Sequence, residues 1–186
     1  MPQESVGSTP FLEALHTAHV DGEVHHADAQ PAVYAPPVDE ARAQISELIS
    51  RYAELIDVGD FEGVASLLAT AELSFEGFDT VRRGRDEIRA TYEASTRRYE
   101  DGTPRTKHLV TNVVVDIEPT MGTASSRSYF TVLQAVPGAL ALQPVVAGRY
   151  RDGFRSVDGT WRFSRRHIMV DLTGDLGHHL LFGLEG

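Results

Sequence analysis

The chain has 186 residues and no cysteine. That absence excludes disulfides, thiolate nucleophiles, Cys-ligated zinc and iron–sulfur clusters, and it fits a cytosol at least as well as an export route. Lysine is nearly missing as well, Lys107 being the single one. With 17 Lys and Arg against 27 Asp and Glu, the formal net charge is −10. A balance so acidic argues against partners that present phosphate, either nucleic acid or an anionic membrane surface. No apolar run reaches the roughly 18 residues of a membrane-crossing helix, and the first 30 residues have neither a basic nor an apolar leader region. The expected address is therefore cytoplasmic. Glycine-rich phosphate loops, a Gly-x-Ser-x-Gly elbow and a His-Glu-x-x-His pair are also lacking, which leaves hydrolase and metalloprotease readings without support.

What is present describes one globular domain with a tail. Hydrophobic residues make up 41% and charged residues 24% of the chain, enough for a sizeable core. Residues 1–38 stand apart: they hold Glu4, Glu13, Asp21, Glu23 and Asp28, no Lys or Arg, and four of the eight histidines. Half of the net charge thus lies in an acidic extension closed by Pro31, Pro36 and Pro37. It is expected to be mobile or loosely docked, with a short helix near Phe11–His19. His16, His19, His25 and His26 read as part of a solvated tail, and no metal is assigned to them.

From residue 39 to 186 the pattern becomes that of a folded domain. Asp39 is the expected N-cap of a helix in which Ile45, Leu48, Ile49, Tyr52, Leu55 and Ile56 recur at helical spacing to residue 57. Gly59 stops it and Asp60 caps a short second helix. Glu72–Phe78 reads as a strand, and Asp86–Tyr99 as a third helix. The period then switches to two, giving strands at about 107–118, 124–136, 144–157 and 160–171, the last two joined at Asp158-Gly159. A helical tail is expected over Gly174–Phe182. Helices followed by an antiparallel sheet describe an α+β domain.

Three segments carry a family resemblance. They are Arg51-Tyr52-Ala53-Glu54-Leu55-Ile56-Asp57-Val58-Gly59-Asp60-Phe61, then His108-Leu109-Val110-Thr111-Asn112, and Gly148-Arg149-Tyr150-Arg151-Asp152-Gly153-Phe154 running on to Asp158-Gly159-Thr160-Trp161-Arg162-Phe163. In this order the chain resembles the nuclear-transport-factor-2-like superfamily and, within it, the SnoaL-like group. The resemblance implies a cone-shaped α+β roll, its curved, mostly antiparallel sheet wrapped around helices and enclosing an apolar pocket. It also implies homodimers or higher homo-oligomers and no cofactor. Scytalone dehydratase and hexachlorocyclohexane dehydrochlorinase look similar at Asp57 and His108, where they carry an Asp–His dyad.

By that analogy His108 is the general base and Asp57 its orienting partner, in a lyase that eliminates water or halide from an apolar, ring-containing small molecule. Neutral imidazole can take a proton near neutral pH, and a carboxylate on its other nitrogen fixes the tautomer. The structural alternative makes Asp57 a polar helix end and His108 an ordinary strand-entry residue. Tyr52, Asn112, Tyr129, Arg149, Trp161 and His167 are candidate substrate contacts. Trp161, Phe163, Arg165, His167 and Met169 alternate on one side of the last strand, which would point His167 into the pocket as a second acid. His178-His179 reads as a surface pair. Two other functions stay open: a polyketide- or terpenoid-type cyclase or isomerase in the same pocket, and a non-catalytic binding or oxygenase-small-subunit-like assembly module. The isomerase reading places Gly77 or Phe78, beside Glu76, where such enzymes keep their aspartate.

Overall fold

The computed structural model describes residues 37–181. Residues 1–36 of the acidic extension, with the helix expected near Phe11–His19 and the four histidines, lie outside the described residues. Helix α1 (Val38–Asp57) buries Ala41, Ile45, Ile49, Tyr52, Ala53, Leu55 and Ile56 on one face. Its start differs from expectation: Pro37 is the cap position and no side chain caps it, while Asp39 and Glu40 sit in the first turn, where the helix dipole favours acids. Its end is fixed by a Schellman turn. Gly59, at φ +74°, donates its N–H to the Ile56 carbonyl (2.9 Å), and Asp60 donates to Leu55 (2.9 Å). Asp57 is thereby the last helical residue, held rigidly.

Asp60 caps helix α2 (Phe61–Leu67) by accepting from the Gly63 N–H at 2.8 Å. Strand β1 (Glu72–Phe75) is shorter than expected because the chain turns back into β2 (Val81–Arg83), a strand that three residues are too few to announce. Helix α3 (Gly84–Ser95) follows. Four long strands complete the sheet: β3 (Thr106–Glu118), β4 (Thr123–Val136), β5 (Leu140–Val157) and β6 (Thr160–Thr173). The order is β2-β1-β6-β5-β4-β3. Every pairing is antiparallel except β1 with β6. Among the described residues this makes three helices packed on an open, curved sheet, the architecture expected from the sequence.

The curvature comes from register shifts. Between Thr111 and Val114 of β3, Asn112 and Val113 face a single residue of β4, and Asn112 takes φ +52°. On β6, Ser164 is the extra residue between Phe163 and Arg165. Each such bulge reverses which face the following side chains occupy. Strand β4 has no bulge before Val132, and there burial alternates strictly, with Ala124, Ser126, Ser128, Phe130 and Val132 inside.

The β6 bulge turns Arg166 inward, directly opposite Asp152 on β5. Both side chains are fully buried and doubly bonded: Arg166 donates through Nε to Oδ1 (2.9 Å) and through Nη2 to Oδ2 (2.8 Å). The guanidinium also lies over the rings of Tyr52, Tyr150 and Phe163 at 3.9, 4.3 and 4.8 Å. Burial would push its proton off, but Asp152 more than offsets that and raises the pKa, so the pair is ionic. Residues 174–181 form no helix. They cross the sheet's open end as a turn, tied by a β-bridge from Leu180 to Thr96.

Candidate functional site

The C-terminus of α1 and the first residues of β3 meet at Asp57. Its Oδ1 accepts from the Thr106 hydroxyl (2.8 Å) and lies 2.7 Å from Nδ1 of His108, while Oδ2 accepts from the His108 backbone N–H (2.8 Å). The Asp57 and His108 side chains are only 8% and 7% exposed. Burial alone would raise the Asp57 pKa, yet the bonds from His108 and Thr106 and the charge interaction with His108 outweigh it and lower the pKa. Asp57 is therefore a carboxylate at neutral pH and can only accept. The proton of neutral His108 must then sit on Nδ1, which leaves the Nε2 lone pair free.

His108 lines a cavity of about 70 Å³ together with Tyr52, Ile56, Phe75, Tyr92, Phe130, Val132, Tyr150, Ile168 and Val170. That is about half of the roughly 150 Å³ that holds a benzene molecule, so a ring-sized ligand needs the wall side chains to move apart. Ser95, Thr96, His179 and Leu180 close it. Within this mostly apolar wall the Tyr52 and Tyr92 hydroxyls hydrogen-bond to each other at 2.7 Å. Burial raises the pKa of both phenols, so both stay protonated and one O–H remains available to a ligand.

Of the residues singled out by sequence, His108, Asp57 and Tyr52 come together here and the others do not. Asn112, Tyr129 and Arg149 share a groove on the sheet's outer face, because the β3 bulge breaks the parity that would have kept Asn112 with His108. Arg149 pairs there with Asp171, with contacts of 2.6–3.0 Å. Trp161 is buried at 2% exposure in the core, away from the cavity lining. His167 is turned from the cavity by the Ser164 bulge, and its Nδ1 meets the Ser74 hydroxyl at 2.9 Å; Ile168 and Val170 take the inward positions. Glu76 is exposed and outside the lining.

Most of the lining, apart from Tyr52 and His108, is not singled out from the sequence, and two of those residues bear on the chemistry. Tyr92 sits where an apolar helix face is expected, and only its spacing from Ile88 and Ser95 hints at a shared wall. His179 is not a surface residue: it is 8% exposed, and its burial, with a lesser effect of His108, pushes its pKa down to about 4. No sequence signal separates it from His178. Among the described residues no three His, Cys, Asp or Glu side chains gather as metal ligands, and no helix is long and apolar enough to cross a membrane.

The low pKa of His179 has a consequence for stability. An unfolded histidine takes up its proton near pH 6.5 and the folded one only near 4, so stability falls as pH drops through that window. Between about pH 6.5 and 5 the loss from this group is about 2 kcal/mol, at about 1.4 kcal/mol per pH unit. Urea unfolding of the wild type should register that loss, and His179→Phe should abolish it. The Asp57 contribution lies elsewhere: a lowered carboxylate pKa stabilises above about pH 4 and is lost only below.

A model of the SnoaL-like domain matches residues 39–167. Among solved structures, an NTF2-like protein with a cystatin-like fold from Novosphingobium aromaticivorans is 27% identical, with a TM-score of 0.60, over 76% of this chain and 88% of that one. A candidate scytalone dehydratase from the same organism is 26% identical, with a TM-score of 0.58, over 74% and 88%. LinA shares the fold at 20% identity and a TM-score of 0.58, over 74% and 91%. No curated protein matches. The family model extends from the first turn of α1 to His167 on β6 and so takes in both Asp57 and His108: the chain belongs to the SnoaL-like domain family.

Proposed function

We propose that this protein is a cofactor-independent lyase that eliminates water from a one-ring β-hydroxyketone, with Nε2 of His108 as the base. The observation that carries the reading is the 2.7 Å contact of His108 Nδ1 with Asp57 beside an apolar cavity that His108 itself lines. The candidate scytalone dehydratase among the structural relatives supports the same class of reaction. In the proposed step, Nε2 takes the proton on the carbon next to the carbonyl. The electron pair of that C–H bond becomes the new carbon–carbon double bond as the β-hydroxyl leaves. The imidazolium returns its proton to the departing hydroxyl, so water is released and the base regenerated. Asp57 stabilises the imidazolium, and the free O–H of the Tyr52–Tyr92 pair donates to the carbonyl oxygen as negative charge develops on it.

An assembly module would need neither the cavity nor the carboxylate–imidazole contact, so both features favour catalysis. A ring-isomerase reading would want a carboxylate in the cavity near residues 76–78, and Glu76 does not line it. The test is direct. With 3-hydroxycyclohexanone the enzyme should accelerate formation of 2-cyclohexenone and water, and Tyr92→Phe should lower that rate on the order of 10². Double-bond migration in 3-cyclohexenone without any elimination would make the protein an isomerase and overturn the lyase reading.

A further inference from the structure

Two imidazoles meet the cavity, and the elimination step uses one. His179 does not hold its own segment in place, because the main chain does that. Its N–H donates to the Leu176 carbonyl (2.9 Å), and its carbonyl accepts from the Arg97 N–H (2.9 Å). The neighbouring His178 carbonyl accepts from the Tyr99 hydroxyl (2.7 Å) and from Nε2 of Gln134 (3.0 Å), and the Leu180 carbonyl accepts from the Arg97 guanidinium (2.9 Å). The His179 ring adds nothing to this scheme. Its Nδ1 is buried and has no hydrogen-bond partner among the described residues. Such an atom costs stability, and an apolar side chain in its place would not. The ring nevertheless lines the cavity, next to Ser95 and Thr96 on α3 and just after it.

We propose that His179 is a substrate-binding residue whose imidazole hydrogen-bonds an oxygen on the ring of the ligand. This rests on the cavity being the substrate site, and it gives the ring oxygen a second polar contact beside the Tyr52–Tyr92 pair. Because burial holds the ring neutral near pH 7, it offers one N–H and one lone pair, so it can pair with a hydroxyl or a carbonyl. It does not supply a proton, which leaves proton transfer to His108.

Phenol and benzene are suitable probes, differing by one hydroxyl. NMR titration of the full chain should give phenol an affinity about tenfold above that of benzene, the ordinary effect of one buried hydrogen bond. The ¹⁵N signals of His179 should shift with phenol and stay in place with benzene. His179→Phe should bring the two affinities together while benzene still binds, and His179→Gln, which keeps a donor and an acceptor, should recover part of the preference. An unchanged phenol preference in His179→Phe overturns the proposal, as does failure of phenol to bind the wild type. If the preference disappears in His108→Ala and persists in His179→Phe, His179 is excluded and the elimination reading survives. Failure of the wild type to eliminate water from 3-hydroxycyclohexanone, with the His179-dependent phenol preference intact, overturns the lyase reading and leaves the binding role of His179 standing.

Discussion

Replacing His108 with alanine should lower turnover of 3-hydroxycyclohexanone by about 10²–10⁴, the usual contribution of a positioned base, with little change in the thermal midpoint. Asp57→Asn should have an effect of the same order for a different reason. Its carbonyl oxygen, in the Oδ2 position, can still accept from the His108 backbone N–H. Its amide nitrogen, however, would donate to Nδ1 where the carboxylate now accepts at 2.7 Å. That exchange moves the histidine proton to Nε2 and blocks the base with the ring still in position. Steady-state rates of the two variants, measured beside their unfolding curves, separate loss of chemistry from loss of fold. Wild-type rates in both variants would exclude the pair from the reaction.

The second large effect is on stability. Asp152→Ala or Arg166→Ala leaves a fully buried charge without its partner, which costs about 3–5 kcal/mol. At about 2–4 °C per kcal/mol for a domain of this size, the thermal midpoint should fall by roughly 6–20 °C. The double change Asp152→Leu with Arg166→Met should restore most of that loss, since an apolar pair of similar volume avoids the desolvation of both ions. Equal losses in the single and double variants, measured by urea unfolding, would show that the pair is not the source of the cost. The ion pair also bears on the site. Arg166 lies over Tyr52 at 3.9 Å and over Tyr150 at 4.3 Å, and both tyrosines line the cavity, so its removal should also weaken phenol binding.

Much of this architecture is legible in the sequence because two periodicities dominate it. The apolar positions of α1 recur at helical spacing, and burial alternates along the whole of β4. The meeting of Asp57 and His108 is legible only through the family resemblance of the segments at the α1 end and the β3 start, because the two residues are 51 positions apart and no local spacing sets their contact. The rest depends on bulges. A bulge adds one residue without changing composition, so nothing in Thr160–Thr173 marks Ser164 as the point where His167 and Arg166 exchange faces. Asn112 fails for the same reason. His179 fails because a short terminal segment has no period to read; its burial follows from main-chain bonds to Arg97 and Ser95, which are long-range. Asp152 and Arg166 look like two more surface charges until the sheet register sets them opposite each other.

The elimination step requires His108 to present an unprotonated Nε2 to the cavity while Asp57 holds the proton on Nδ1. Two-dimensional ¹H–¹⁵N NMR of the histidine side chains, followed with rising pH until the ring carries a single proton, reads that tautomer directly. The structure predicts the proton of His108 on Nδ1 in the wild type and on Nε2 in Asp57→Asn. A wild-type signal showing the proton on Nε2 would contradict the account and remove His108 as the base.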